Sequence, residues 1–283
     1  MHYTTLLRTL LVLAVFMAHA LPTSRANQVP FQTIVTASQQ AASADERLRY
    51  GELSDQYGLL WLPQHPSPAP VVVLVHGGCW LQNYDVSHIT AAAAALRDDG
   101  YVVWAPEYRR ASAEQSAWPQ ALDDVVEAIE FIKTHAHSAL NSEPPIVVGH
   151  SAGGHLALLA STKTAVTAVI GLAAITDITS YAEGQSGCQQ AARWLMGADV
   201  NDANANPSYQ QANPRLQAMN TTLLLIASAA DRIVPIAQAS YLKDAQVTRL
   251  TDAGHFDFIY PNSTAWQQLR VTLRRITLAP ATD

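Results

Sequence analysis

The stretch Ile146-Val147-Val148-Gly149-His150-Ser151-Ala152-Gly153-Gly154-His155-Leu156-Ala157-Leu158-Leu159-Ala160 changes character at its middle. Before Gly149 the residues are apolar and β-branched, as in a strand buried on both faces; after Gly154 they are apolar helix formers. Between the two runs stands Gly-x-Ser-x-Gly. A nucleophilic serine has to sit on a tight strand-to-helix turn, and only small residues fit two places to either side of it. The N-terminus of the helix that follows favours negative charge developing beside it. Ser151 is therefore the candidate nucleophile, and strand, elbow and helix in this order predict an α/β fold.

The flanking sequence keeps the same rhythm. Strands are expected at Arg47–Glu52, Gly58–Leu62, Val71–Val75, Tyr101–Ala105, Ala168–Leu172, Thr222–Ala227 and Val247–Leu250, with helices at Ser87–Asp99, Trp118–Thr134, Ile236–Leu242 and Ser263–Thr277. In the second of these helices Leu122, Val125, Val126, Ile129 and Ile132 recur at three- and four-residue steps, the period of one buried helical face. Doubly buried strands alternating with helices imply a mostly parallel central sheet flanked by helices. The interval 177–217 breaks the alternation and reads as a small lid insertion with a short helix near Gln189–Met196. Residues 21–44 lack clear periodicity and read as a loosely packed N-terminal arm, leaving one domain over 45–283.

A serine hydroxyl needs a base, and the base needs a carboxylate to orient it. Of the ten histidines, His255 stands in a loop after the last strand, where it can swing over the C-terminal edge of a parallel sheet. His150 adjoins the serine and points into the strand–helix packing, His155 lies on the helix, and His65, His88, His135 and His137 read as surface positions. Asp231 follows the strand Thr222–Ala227, and the order Ser151, Asp231, His255 fits the fold. Asp177, Asp252 and Asp257 are rival carboxylates with poorer spacing, while Asp123 and Asp124 read as surface or capping residues. Gly77 and Gly78 leave the strand Val71–Val75 with no Cβ in the way, so their N–H groups, with that of Ala152, suit an oxyanion. Trp80, Tyr181, Trp194 and Phe256 are candidate walls of a substrate pocket. Arg109 and Arg110 read as supports for the loop after Tyr101–Ala105, paired with nearby carboxylates.

The set HGGCW, EYRR, WPQALDDVVEAIEFI, GHSAGGHLALLAS, DRIVP and DAGHFDFI resembles the α/β-hydrolase superfamily. More narrowly it resembles the esterase/lipase group that includes kynurenine formamidase-like enzymes and feruloyl-type carboxylesterases. The likeness runs from about Arg47 to Arg275. It implies a Ser-Asp-His acyl-transfer site, an oxyanion loop at Gly77 and Gly78, no metal and no cofactor. Ser228-Ala229 depart from the His-Gly pair often found ahead of the acid loop in this group. The expected activity is hydrolysis of small carboxylic esters. An arylformamidase and a catalytically silent hydrolase-fold binding protein are the alternatives.

Composition agrees with a folded protein of this kind: 283 residues, 49% hydrophobic and 14% charged, with a net charge of −6 and no cluster of Lys and Arg. Nucleic acid is not an expected partner; a small ester or amide is, and oligomeric state is not legible. Residues 1–20 have the pattern of a signal peptide, an apolar Leu10–Met17 followed by Ala18-His19-Ala20, either cleaved or kept as an anchor. Periplasmic or secreted localisation follows, with no stable membrane span after cleavage. In an oxidising compartment Cys79 and Cys188 either pair or remain thiols. Both border the same cleft, so a bridge would tie the lid down.

Overall fold

A computed structural model describes residues 28–64, 68–135 and 137–278; the expected signal peptide 1–20, residues 21–27 of the expected arm, and His65 lie outside them. The chain begins with α1 (Phe31–Gln40), β1 (Glu46–Arg49), β2 (Tyr57–Trp61) and β3 (Val71–Val75). It continues through α2 (Thr90–Asp98), β4 (Val102–Pro106), α3 (Gln120–Thr134), β5 (Ile146–His150), α4 (Ala152–Ala160) and β6 (Ala168–Leu172). The interval 177–217 holds α5 (Ile178–Ala182), α6 (Gly187–Met196) and α7 (Asn206–Gln211). Last come β7 (Thr222–Ser228), β8 (Gln246–Leu250) and α8 (Thr264–Leu278).

The eight strands form one sheet in the order β1-β2-β4-β3-β5-β6-β7-β8. β1 and β2 run antiparallel to their neighbours, and β3 to β8 pair in parallel. Every residue of β3, β4, β5 and β6 is buried, as their continuous apolar runs require of strands covered on both faces. The sheet grows from β3 to β4 in one direction and then from β3 to β5 in the other. The connections leaving the C-terminal ends of β3 and β5 therefore set off in opposite directions from adjacent strand ends. His76–Trp80 leaves the first of these ends, and Ser151 leaves the second.

Four expectations are corrected. The described part of the arm, 28–44, is not loose: Ile34 on α1 is 1% exposed, and Ser38 Oγ donates to the His88 carbonyl at 3.0 Å. Polar residues on the outer side of this helix hide its apolar stripe from a sequence scan. His88 is a buried residue and not a surface one; burial, reinforced by His76, lowers its pKa to about 3. Asp124 is likewise buried. Its carboxylate accepts from Arg109 N (2.8 Å), Nε (2.7 Å) and Nη2 (2.6 Å) and from Gln56 Nε2 (2.9 Å). The expected support from Arg109 is thus present, with Asp124 as its partner. The expected helices at Ser87 and Ile236 are single 3₁₀ turns at these points, Val86–Ile89 ahead of α2 and Ile236–Ser240.

Candidate active site

Close packing explains the glycines around Ser151. A Cβ on Gly153 would collide with the carbonyl oxygens of Val75 and His76, and one on Gly149 with the Gly153 carbonyl. The elbow is thereby pressed against the end of β3. Ser151 takes φ 54° and ψ −118°, held by its N–H donating to the Leu172 carbonyl at 2.8 Å and its carbonyl accepting from His155 N–H at 3.1 Å. Ala152 opens α4, where first-turn N–H groups have no partner within the helix.

The loop after β3 runs alongside. A Cβ on Gly77 would stand 3.2 Å from the Ser151 Cβ and 3.0 Å from the His150 carbonyl oxygen, so the glycine lets this loop lie against the elbow. Gly78, Cys79 and Trp80 all have positive φ (103°, 54° and 60°), a tight left-handed run that only Gly78 adopts without strain. Behind the loop, the buried Glu107 carboxylate accepts from His76 Nε2 (2.9 Å), Val86 N (2.9 Å) and Tyr108 N (2.9 Å) and pairs with Arg110 Nε (3.1 Å). Burial pushes this carboxyl up, but His76, Arg110 and the Tyr108 N–H outweigh it and hold its pKa below the ordinary range.

His255 and Asp231 come together from the loops after β8 and β7. His255 Nδ1–H donates to Asp231 Oδ2 at 2.8 Å, with both side chains buried. Asp231 Oδ1 accepts from the N–H groups of Ile233 (2.8 Å) and Val234 (3.0 Å), which fixes the plane of the carboxylate. The rival carboxylates are engaged or remote. Asp177 caps α5 and pairs with Arg215 at 2.8 Å, Asp257 takes the N–H groups of Gly254 and Val29, and Asp252 is exposed.

His150 joins the two halves. Its Nε2–H donates to the His255 carbonyl at 3.0 Å, and the two rings lie 4.5 Å apart between centroids. Since Nε2 carries the proton, Nδ1 of the neutral ring is bare, and it is buried without a partner. Burial and the nearby His255 push the His150 pKa well below the ordinary value, so the ring stays neutral beside the base. The sequence placed His150 next to the serine, but its partner lies 105 residues away and nothing local announces it.

Of the candidate pocket walls, Trp80 and Tyr181 are fully buried, packed edge-on at 6.4 Å, with His155 against Trp80 at 5.3 Å. Phe256 is half-buried beside His255. Trp194 is 37% exposed on α6. Cys79 and Cys188 are bonded to each other, with Cα atoms 5.1 Å apart, so the loop after β3 is tied to α6. Among the described residues, no three His, Cys, Asp or Glu side chains gather as metal ligands, and no helix is long and apolar enough to cross a membrane.

A family model described as BD-FAE matches residues 60–245, about two thirds of the chain. The chain belongs to the BD-FAE family. The BD-FAE match takes in the elbow, the loop after β3 and Asp231, and ends ten residues before His255. Esterase LipC of Mycobacterium tuberculosis is 32% identical over 117 residues, which span 40% of this chain and 28% of LipC. A hyperthermophilic esterase from the archaeon Pyrobaculum calidifontis superposes with a TM-score of 0.71 at 19% identity, covering 88% of this chain and 91% of the other. A truncated carbohydrate esterase from gut microbiota gives 0.70 at 18% identity, covering 84% and 98%. These likenesses agree with the α/β-hydrolase fold that the BD-FAE chain displays.

Proposed function

We propose that the protein is an exported serine hydrolase that cleaves small carboxylic esters through an acyl-enzyme. The observation that carries this reading is the buried His255–Asp231 pair, set over the residue that precedes a strained elbow serine. Membership of the BD-FAE family and the likeness to esterases support it.

Ser151 Oγ attacks the ester carbonyl carbon while its proton passes to His255 Nε2. Asp231, bound to Nδ1–H, selects the tautomer that leaves Nε2 free and stabilises the imidazolium. The carbonyl oxygen becomes an oxyanion facing the N–H groups of Gly78 and Ala152, with Gly77 beside them. Collapse breaks the C–O bond, and the proton on Nε2 goes to the departing alkoxide. Water then attacks the acyl-enzyme, gives its proton to His255, and releases the acid and Ser151.

The test is turnover of p-nitrophenyl acetate, butyrate and octanoate beside N-formylkynurenine. Wild type should hydrolyse the esters, and Ser151→Ala and His255→Ala should each lose about 10⁴-fold or more in kcat. A phosphonate ester should add its mass at Ser151 alone. Equal ester turnover by wild type and Ser151→Ala would reject the mechanism, and preference for the formamide would transfer it to amides.

A further inference from the structure

The base loop follows β8, the last strand of the sheet, whose residues are half-buried or exposed. A loop at a sheet edge has no further strand to lean on, yet His255 must be held to Asp231 across 24 residues of chain. The first described residues of the N-terminal arm fill this gap. Gln28 Nε2–H donates to the Ala230 carbonyl at 2.9 Å, next to Asp231. A Cβ on Gly254, the residue before His255, would stand 2.7 Å from the Gln28 Cβ, so the Gln28 stem packs on the base loop while its amide holds the acid loop. Val29 N–H donates to Asp257 Oδ2 at 3.1 Å, the same oxygen that accepts from Gly254 N–H at 2.9 Å. Phe31 then packs on Phe256 at 5.3 Å and on Tyr84 at 5.5 Å between centroids, and α1 anchors the segment to the body through Ile34.

We propose that Gln28–Phe31 is a clamp that sets the geometry of the Asp231–His255 pair, with Gln28 as a positioning residue. It spans both loops at once, so it fixes their separation, which is the distance between carboxylate and imidazole. This inference rests on the Ser-Asp-His reading above. Turnover then depends on a stretch of chain over two hundred residues from the acid and base it aligns, and removing the arm through residue 30 would leave the sheet intact but the pair slack.

The experiment uses the full chain with Gln28→Ala, which removes the amide, and Gln28→Glu, which keeps the size but turns a donor towards the Ala230 carbonyl into an acceptor. Kinetics on p-nitrophenyl butyrate are read beside the low-field proton resonance of His255 Nδ1–H, with Ser151→Ala as control. Both Gln28 variants should lose about tenfold in kcat with KM within twofold, and their low-field resonance should broaden or move upfield. Unchanged kcat and resonance in both variants would overturn the clamp, as would a raised KM at unchanged kcat, which would make Gln28 a substrate contact. An active Ser151→Ala would sink the triad reading itself, a separate failure.

Discussion

Ser151 occupies φ 54°, ψ −118°, a region in which an L-residue carries about 1–3 kcal/mol of steric strain and glycine almost none. The strain is sustained by the hydrogen bonds on either side of the residue and by the backbone contacts that Gly149 and Gly153 allow. Ser151→Ala removes the hydroxyl but keeps the Cβ and hence the strain; Ser151→Gly removes both. Glycine regains about 2 kcal/mol at the elbow and gives back about 0.5–1 kcal/mol through the freer unfolded chain. Ser151→Gly should therefore be about 1 kcal/mol more stable than Ser151→Ala, a rise of about 2–4 °C in Tm for a chain of this size. Both variants should be inactive. The comparison is made by urea unfolding and calorimetry on the two variants side by side. If Ser151→Gly proved equal to or weaker than Ser151→Ala, the elbow would store no strain and the backbone argument for the nucleophile would fall.

Other outcomes follow from groups away from the serine. Arg109→Ala leaves the fully buried Asp124 carboxylate without its ion partner and should cost about 3 kcal/mol in urea unfolding; a loss below about 1 kcal/mol would mean that Gln56 and the Arg109 N–H suffice. His155 is buried, and burial lowers its pKa to about 4. The unfolded chain therefore takes up a proton below about pH 6.5 that the folded chain refuses, and stability present above that pH is lost as the pH falls towards 4. His155→Gln should accordingly shrink the stability difference between pH 7 and pH 5 by about 2 kcal/mol, and an unchanged difference would show that the ring is not held neutral. The Cys79–Cys188 bridge closes a loop with a sequence separation of 109. Thiol titration of the denatured, unreduced protein should find none free, and the Cys79→Ser/Cys188→Ser double variant should be about 2–4 kcal/mol less stable.

Elements that depend only on neighbours along the chain are legible in the sequence. The run Val71–Val75 is a strand with the predicted ends, because five consecutive apolar β-branched or leucine residues suit only a doubly buried strand. Ala168–Leu172 and the helical stripe of 120–134 follow from the same kind of local period. Ser151 at its turn was legible because the steric demand of the elbow falls on residues two places away. Asp231 and His255 stand out by their positions after strands, and the pairing between them follows from the parallel order of β7 and β8.

Tertiary structure alone decided which polar groups are buried and what they face. Asp124 looks like any acid on a helix until Arg109 and Gln56 surround it. His88 looks like a surface histidine until α1 closes over it. His150 gains its meaning from the carbonyl of a residue in another loop, and Gln28 from a carbonyl 202 positions along the chain. Hydrophobic periodicity reports which face of an element turns inward, because that depends on the spacing of side chains along one backbone. The partner of a lone polar side chain depends on where a second backbone comes to rest, and no spacing within the first encodes it.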